Sequence, residues 1–204
     1  MGDRRDTVTV LPLCLDVTEV TVAAYASCVR SGQCTTAATT VDWPNISPTD
    51  RETGKYCNGS RADRSSHPVN CVDWGQAKTY CQAQGKRLPS EEEWEWAARG
   101  GSEGRPFPWG NAAPKSQLCW SGMTQRDSTC PVGSFPEGDA PGGIHDLGGN
   151  VSEWTSNVFD TRTQTRSIRG GGWNLSIPAN FNAVLRIGSA PSSRVANLGI
   201  RCAR

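Results

Sequence analysis

Three stretches of the chain carry apolar residues at helical spacing, each bracketed by start and stop residues. The first follows Thr21, with Val22, Tyr25 and Val29 on one face and Gly32 as its stop. The second starts at Asp73, places Trp74, Ala77 and Cys81 on one face, and stops at Gly85. The third has the fullest punctuation. Ser90 and Glu93 stand at capping-box spacing, and Glu91 and Glu92 occupy the first turn, where the helix dipole favours negative charge. Trp94 and Ala97 or Ala98 face inward, and Gly100 ends the segment. Beyond it turn residues dominate, predicting loops with short strands. The best late strands are "SIRGGGW" and "NLGIRCAR"; the best early one is "LPLCLDVTEV".

Gly, Pro, Ser, Asn and Asp are spread throughout rather than gathered in a linker, so no internal domain boundary is marked and 204 residues suit one domain. A net charge of +1 without long like-charged blocks excludes a dedicated nucleic-acid or polybasic membrane binder. No apolar run reaches transmembrane length, and "MGDRRDTVTV" has no signal-peptide core. A chain so rich in loops needs cross-links, ions or aromatic packing to hold it. Eight tryptophans and nine cysteines supply two of these.

No CxxC pair occurs and only two histidines are present, so structural zinc explains the cysteines poorly. Disulfides made in an oxidising compartment, extracellular or periplasmic, explain them better than buried reduced thiols do. Short closable spacing predicts Cys28–Cys34 and Cys119–Cys130. Among Cys14, Cys57 and Cys71 one bridge and one leftover thiol are expected, without a choice between them.

The third means of support is suggested by "GGIHDLGGNVSEW", residues 142–154. Asp146 and Glu153 can present carboxylates, and Gly148 and Gly149 let the backbone turn carbonyls inward. Such oxygen-only ligands suit a hard cation such as calcium, although an ordinary solvated loop has similar composition.

Together these segments resemble the formylglycine-generating-enzyme, or sulfatase-modifying-factor, family. The resemblance is carried in order by "DVTEVTVAAYASCV", "HPVNCVDWGQAKTYCQAQGKRLPSEEEWEWAARGG", "PFPWGN", "CPVGSFPEGDAPGGIHDLGGNVSEWTS", "RGGGW" and "LGIRCAR". It implies a single irregular α+β domain over residues 1–204 with a loop-rich, C-type-lectin-like fold, the family's usual opening strand and glycine-rich turn being missing. It also implies a disulfide from Cys81 to Cys202. Calcium would be bound by the side chains of Asp146 and Glu153 and the carbonyls of Gly149 and Val151. A second family calcium site, matching residues 118–132, loses its ligands in "LCWSGMTQRDSTC".

Copper-type members oxidise a substrate cysteine through two thiolates, which suit the soft copper(I) ion. Aligned on "RGGGW", those cysteines fall at Leu175 and Asn180, and a supporting serine falls at Gly172. All three are replaced. The resemblance therefore implies no catalytic residues and a silent binding module for a protein or small-molecule ligand. Its ligand surface is expected at Trp173, Leu175, Asn180, Phe181 and Arg186, in the polar C-terminal segment that also holds Asn174 and Asn182. An inert covering loop is the plainer reading of that segment. Two other readings stay open: an enzyme of the same fold with unassigned oxidative chemistry, and a structural domain of a larger surface protein. An iron triad from His67, His145 and Asp146 has little behind it, and no nucleophile or phosphate-loop motif is present.

Overall fold

The structure is a computed structural model that describes residues 14–204. The first residues of the expected early strand, and the segment read for a signal peptide, lie outside the described residues. All three expected helices form. α1 (Val22–Arg30) is capped by the Thr21 side chain, which accepts a hydrogen bond from the Ala24 amide, and buries Val22, Tyr25 and Cys28. A short helical turn, α2 (Pro48–Arg51), precedes α3 (Trp74–Ala83), which Asp73 and Gln76 close with a capping box. α4 (Glu91–Ala98) carries the expected Ser90–Glu93 capping box and buries Trp94 and Ala98. Past α1, α3 and α4 the chain turns at a glycine with positive φ, Gly32, Gly85 and Gly100 respectively.

The strands form one small mixed sheet in the order β3-β2-β1-β4, from β1 (Ser152–Asp160), β2 (Thr165–Arg169), β3 (Ile187–Ser189) and β4 (Leu198–Gly199). β1 pairs antiparallel with β2, register Glu153 to Arg169, and parallel with β4, register Glu153 to Gly199. Two strand expectations need correction. "LPLCLDVTEV" contributes an isolated bridge, Leu15 to Ala203, because its neighbours bond to the chain's end rather than to a sheet strand. The longest strand, β1, starts inside the segment read as a turn-dense loop.

Trp154 of β1 sits in the main core with Tyr25, Val69, Tyr80, Leu198 and Ile200. Tyr25 and Tyr80 stack there at 5.4 Å, joining α1 to α3. The four disulfides are Cys28–Cys34, Cys57–Cys71, Cys81–Cys202 and Cys119–Cys130, with Cys14 exposed and free. They place the domain in the chemistry of an oxidising compartment. Among the described residues no helix is long and apolar enough to cross a membrane.

Candidate functional site

The loop before β1 is shaped by backbone that only certain residues tolerate. Asp146 and Asn150 have φ of 57°, and Gly149 has φ of 90°. A Cβ at Gly149 would lie 2.7 Å from the Cys119 carbonyl oxygen, so glycine is required there by space as well as by φ. Asn150 is the loop's hub. Its side-chain oxygen accepts from the Cys130 amide at 3.0 Å, and its Nδ2 donates to Glu19 Oε2 at 2.6 Å. Its carbonyl accepts from the Trp173 amide at 2.8 Å. The loop is thereby tied to the Cys119–Cys130 disulfide, to the start of the chain and to the C-terminal segment.

Asp146 and Glu153, expected together from the sequence, share a buried charge cluster with Glu19 and Arg201. The exposures of Glu19, Asp146, Glu153 and Arg201 are 1%, 6%, 0% and 0%. Glu153 receives Arg201 Nη2 at 2.8 Å and Trp94 Nε1 at 2.6 Å, with Arg201 Nε shared between its oxygens. Asp146 Oδ2 accepts from the Gly133 amide at 2.6 Å. Three carboxylates face one guanidinium. Burial, followed by the negative charges of Asp146 and Glu153, pushes the Glu19 carboxyl well above its usual range. Burial also raises Asp146, against the pull of the Gly133 N–H and Arg201.

The donors gathered here are oxygens, the type that hard cations take, but both oxygens of Glu153 are already bonded by Arg201 and Trp94. Among the described residues there is no group of three or more His, Cys, Asp or Glu side chains placed to hold a metal. A cation here would therefore depend on the Gly149 and Val151 carbonyls as well as on Asp146 and Glu153. Glu19 and Asn150 escaped sequence reasoning. Glu19 stands 132 positions from the Val151 amide that it accepts at 3.1 Å, and no local pattern marks that partnership.

The five residues expected to outline one ligand surface are divided among three places. Trp173 is buried, donates Nε1 to the Ala196 carbonyl at 3.1 Å, and meets the Tyr56 ring edge-on at 5.2 Å. It lines a groove of about 340 Å³ with Trp43, Tyr56, Asn174 and Asn197. Phe181 is 1% exposed and packs edge-on against Trp120 at 5.4 Å, with Leu175 against the same cluster. Asn180 lies in the short helical turn Pro178–Phe181, its carbonyl oxygen facing Gly171. Arg186 pairs with Glu91 and lies over the Phe159 ring at 5.0 Å, on the sheet's side. At Gly172, where the resemblance aligns a serine, an added Cβ would lie 2.7 Å from Asn197 Cβ.

His67 is buried and bonded through Nδ1 to Thr129 Oγ1 at 2.9 Å, in a network with Asn58. His145 pairs with Asp139 at 2.7 Å. Neither histidine joins the other as a metal ligand among the described residues.

A family model described as "Sulfatase-modifying factor enzyme 1-like domain" matches residues 3–204. The bovine protein named "Inactive C-alpha-formylglycine-generating enzyme 2" is 38% identical over 155 residues, 69% of this chain and 51% of that protein. The mouse protein named "Formylglycine-generating enzyme" is also 38% identical, over 168 residues, 69% of this chain and 45% of that protein. The chain thus spans about half the length of the curated relatives it matches. Among solved structures, that titled "Crystal Structure of CarF" superposes with a TM-score of 0.73 at 20% identity, covering 97% of this chain and 88% of that one. The helices, the small curled sheet and the long ordered loops are those of the C-type-lectin-like architecture expected from the sequence. With a match running almost end to end, the chain belongs to the sulfatase-modifying-factor family.

Proposed function

We propose that this domain is a catalytically silent member of its family, acting as an extracellular or periplasmic module that binds a protein or small-molecule ligand. The observation that carries the proposal is the chemistry at three positions. Where the family's copper-type enzymes align two cysteines and a serine, this chain has Leu175, Asn180 and Gly172. Eight of the nine cysteines are in disulfides, and Cys14 is bonded through its backbone to Arg204, at the other end of the chain. A linear copper(I) site needs two thiolates, so no pair of free thiols is on hand to build one.

The ligand surface we assign is the groove at the two ends of the C-terminal segment, with Trp173 and Asn174 on one side and Asn197 on the other. Trp43 and Tyr56 add aromatic surface to these amides, the mixture that adaptable binding sites use. Leu175 and Phe181 pack in a separate cluster with Trp120, and Arg186 contributes to a separate face. Calcium belongs to the proposal: Asp146, Glu153 and the Gly149 and Val151 carbonyls would hold it, and its charge would offset the surplus carboxylates of the loop.

The test is copper(I) titration together with oxygen uptake in the presence of a cysteine peptide of the sulfatase type. Neither stoichiometric copper binding nor peptide oxidation is expected. Turnover by the wild-type chain would establish the second reading, an enzyme, which the equal identity to the mouse formylglycine-generating enzyme favours.

A further inference from the structure

A second groove, about 380 Å³ in volume, runs between α3 and the face of the β1–β2 pair. One wall is a single helix stripe, Trp74, Lys78 and Gln82, spaced four residues apart. The other wall is Ser156 of β1 and Arg166 of β2, and Arg87 and Leu88 close one end. It shares no lining residue with the groove at Trp173.

Its charge is one-sided. Arg166 lies with its guanidinium carbon 3.9 Å from the centre of the Trp74 ring, and Lys78 Nζ lies 5.3 Å from the same ring. The indole is itself fixed, donating Nε1 to the Thr155 carbonyl at 2.8 Å. Arg87 is neutralised by two hydrogen bonds to Glu93, at 2.6 and 2.7 Å. Lys78 and Arg166 have no such acid: among the described residues neither forms an ion pair, and Arg166 donates only to the Ser156 carbonyl, at 3.2 Å. Two uncompensated cations held on one tryptophan, above the buried Leu88, make a site that is positive at its mouth and apolar at its base.

We propose that this groove binds a small organic oxyanion. Its charged group lies between Lys78 and Arg166, and its apolar part packs against Trp74 and Leu88. The guanidinium offers parallel N–H donors, the ammonium a compact charge, and Ser156 and Gln82 further hydrogen bonds. The volume is in the range of small-molecule sites, about 300–1,000 Å³.

Calorimetric titration of the full chain with benzoate, benzenesulfonate and phenyl phosphate, with benzyl alcohol as the neutral control, tests this. Saturable one-to-one binding of at least one anion is expected, and the tightest of the three identifies the acid group. Benzyl alcohol should bind at least about tenfold more weakly. Lys78→Gln and Arg166→Gln should each weaken the anion by about tenfold or more, as loss of one charge-assisted hydrogen bond implies. Lys78→Arg should retain it. Because Lys78 is exposed, its variants report on binding rather than folding. Three results would each overturn the proposal: no saturable binding of any anion, equal binding of benzyl alcohol, or unchanged affinity in Lys78→Gln.

Discussion

Glu153 and Arg201 form an ion pair in which neither side chain is more than 1% exposed, and Trp94 donates a further hydrogen bond to the same carboxylate. Removing one partner leaves the other charge buried and alone, which typically costs about 3–5 kcal/mol. Glu153→Ala is therefore expected to lower unfolding stability by that order in urea titrations. Replacing both residues, Glu153→Gln with Arg201→Met, should recover much of the loss. If the double variant loses as much stability as the two single variants added together, the pair is not coupled as its geometry implies.

Because Glu153 has this structural duty, Asp146 is the cleaner probe of calcium. A ligand that binds only the folded state raises stability by mass action, so EDTA should lower the melting temperature of the wild-type chain. Asp146→Asn keeps an oxygen to accept the Gly133 N–H but removes a charged ligand, and should shrink the EDTA effect. A melting curve indifferent to EDTA, with no calcium in the purified protein, would remove the metal from the proposal.

Cys81–Cys202 closes a segment with a separation of 121 residues. In the chain-entropy model a loop of that size stabilises by about 4–5 kcal/mol. The double variant Cys81→Ala/Cys202→Ala should unfold at markedly lower denaturant concentration, and a shift under about 1 kcal/mol would contradict that account. Without reduction, iodoacetamide should label Cys14 alone; label on any other cysteine would break one of the four pairings.

His67 supplies a pH dependence whose sign is fixed by its surroundings. Burial first, then the Arg64 charge, lowers its pKa below the ordinary value of 6.5. As pH falls through 6.5 the unfolded chain takes up the proton before the folded one does, so stability is lost in that window and below it until the folded group also titrates. Denaturant unfolding at pH 7.5 and pH 5.5 should show a smaller difference in His67→Gln than in the wild type. An identical difference would assign the acid sensitivity to other groups.

The helices were legible because their signals are local: Ser90 and Glu93, or Thr21, lie within one turn of the amides they cap. β1 was hidden for two reasons. Its first four residues, Ser152–Thr155, are all buried between β2 and β4, so the alternation that marks a half-exposed strand is absent. Its start also overlaps the glycine-rich stretch that reads as a loop. Asp146 and Glu153 were identified from the sequence and do come together, whereas Glu19, Asn150 and Arg201 were not, since their partners stand far away along the chain. Phe181 illustrates the opposite error. An aromatic among polar residues reads as a contact surface, but Trp120, 61 positions earlier, covers it.

The backbone of Cys14 exchanges both of its hydrogen bonds with Arg204, at 3.0 and 2.9 Å, and the next pair inward is the bridge from Leu15 to Ala203. The described chain therefore closes on itself, and its path approximates a ring sewn shut by antiparallel stitches. A ring has no privileged point of entry. Joining residue 204 to residue 14 through a short linker and opening the exposed turn at 161–164 would reorder the sequence without disturbing a core contact among the described residues. By the same topology, a host protein could carry this domain inside one of its own surface loops, since both strands of the connection would leave from one spot.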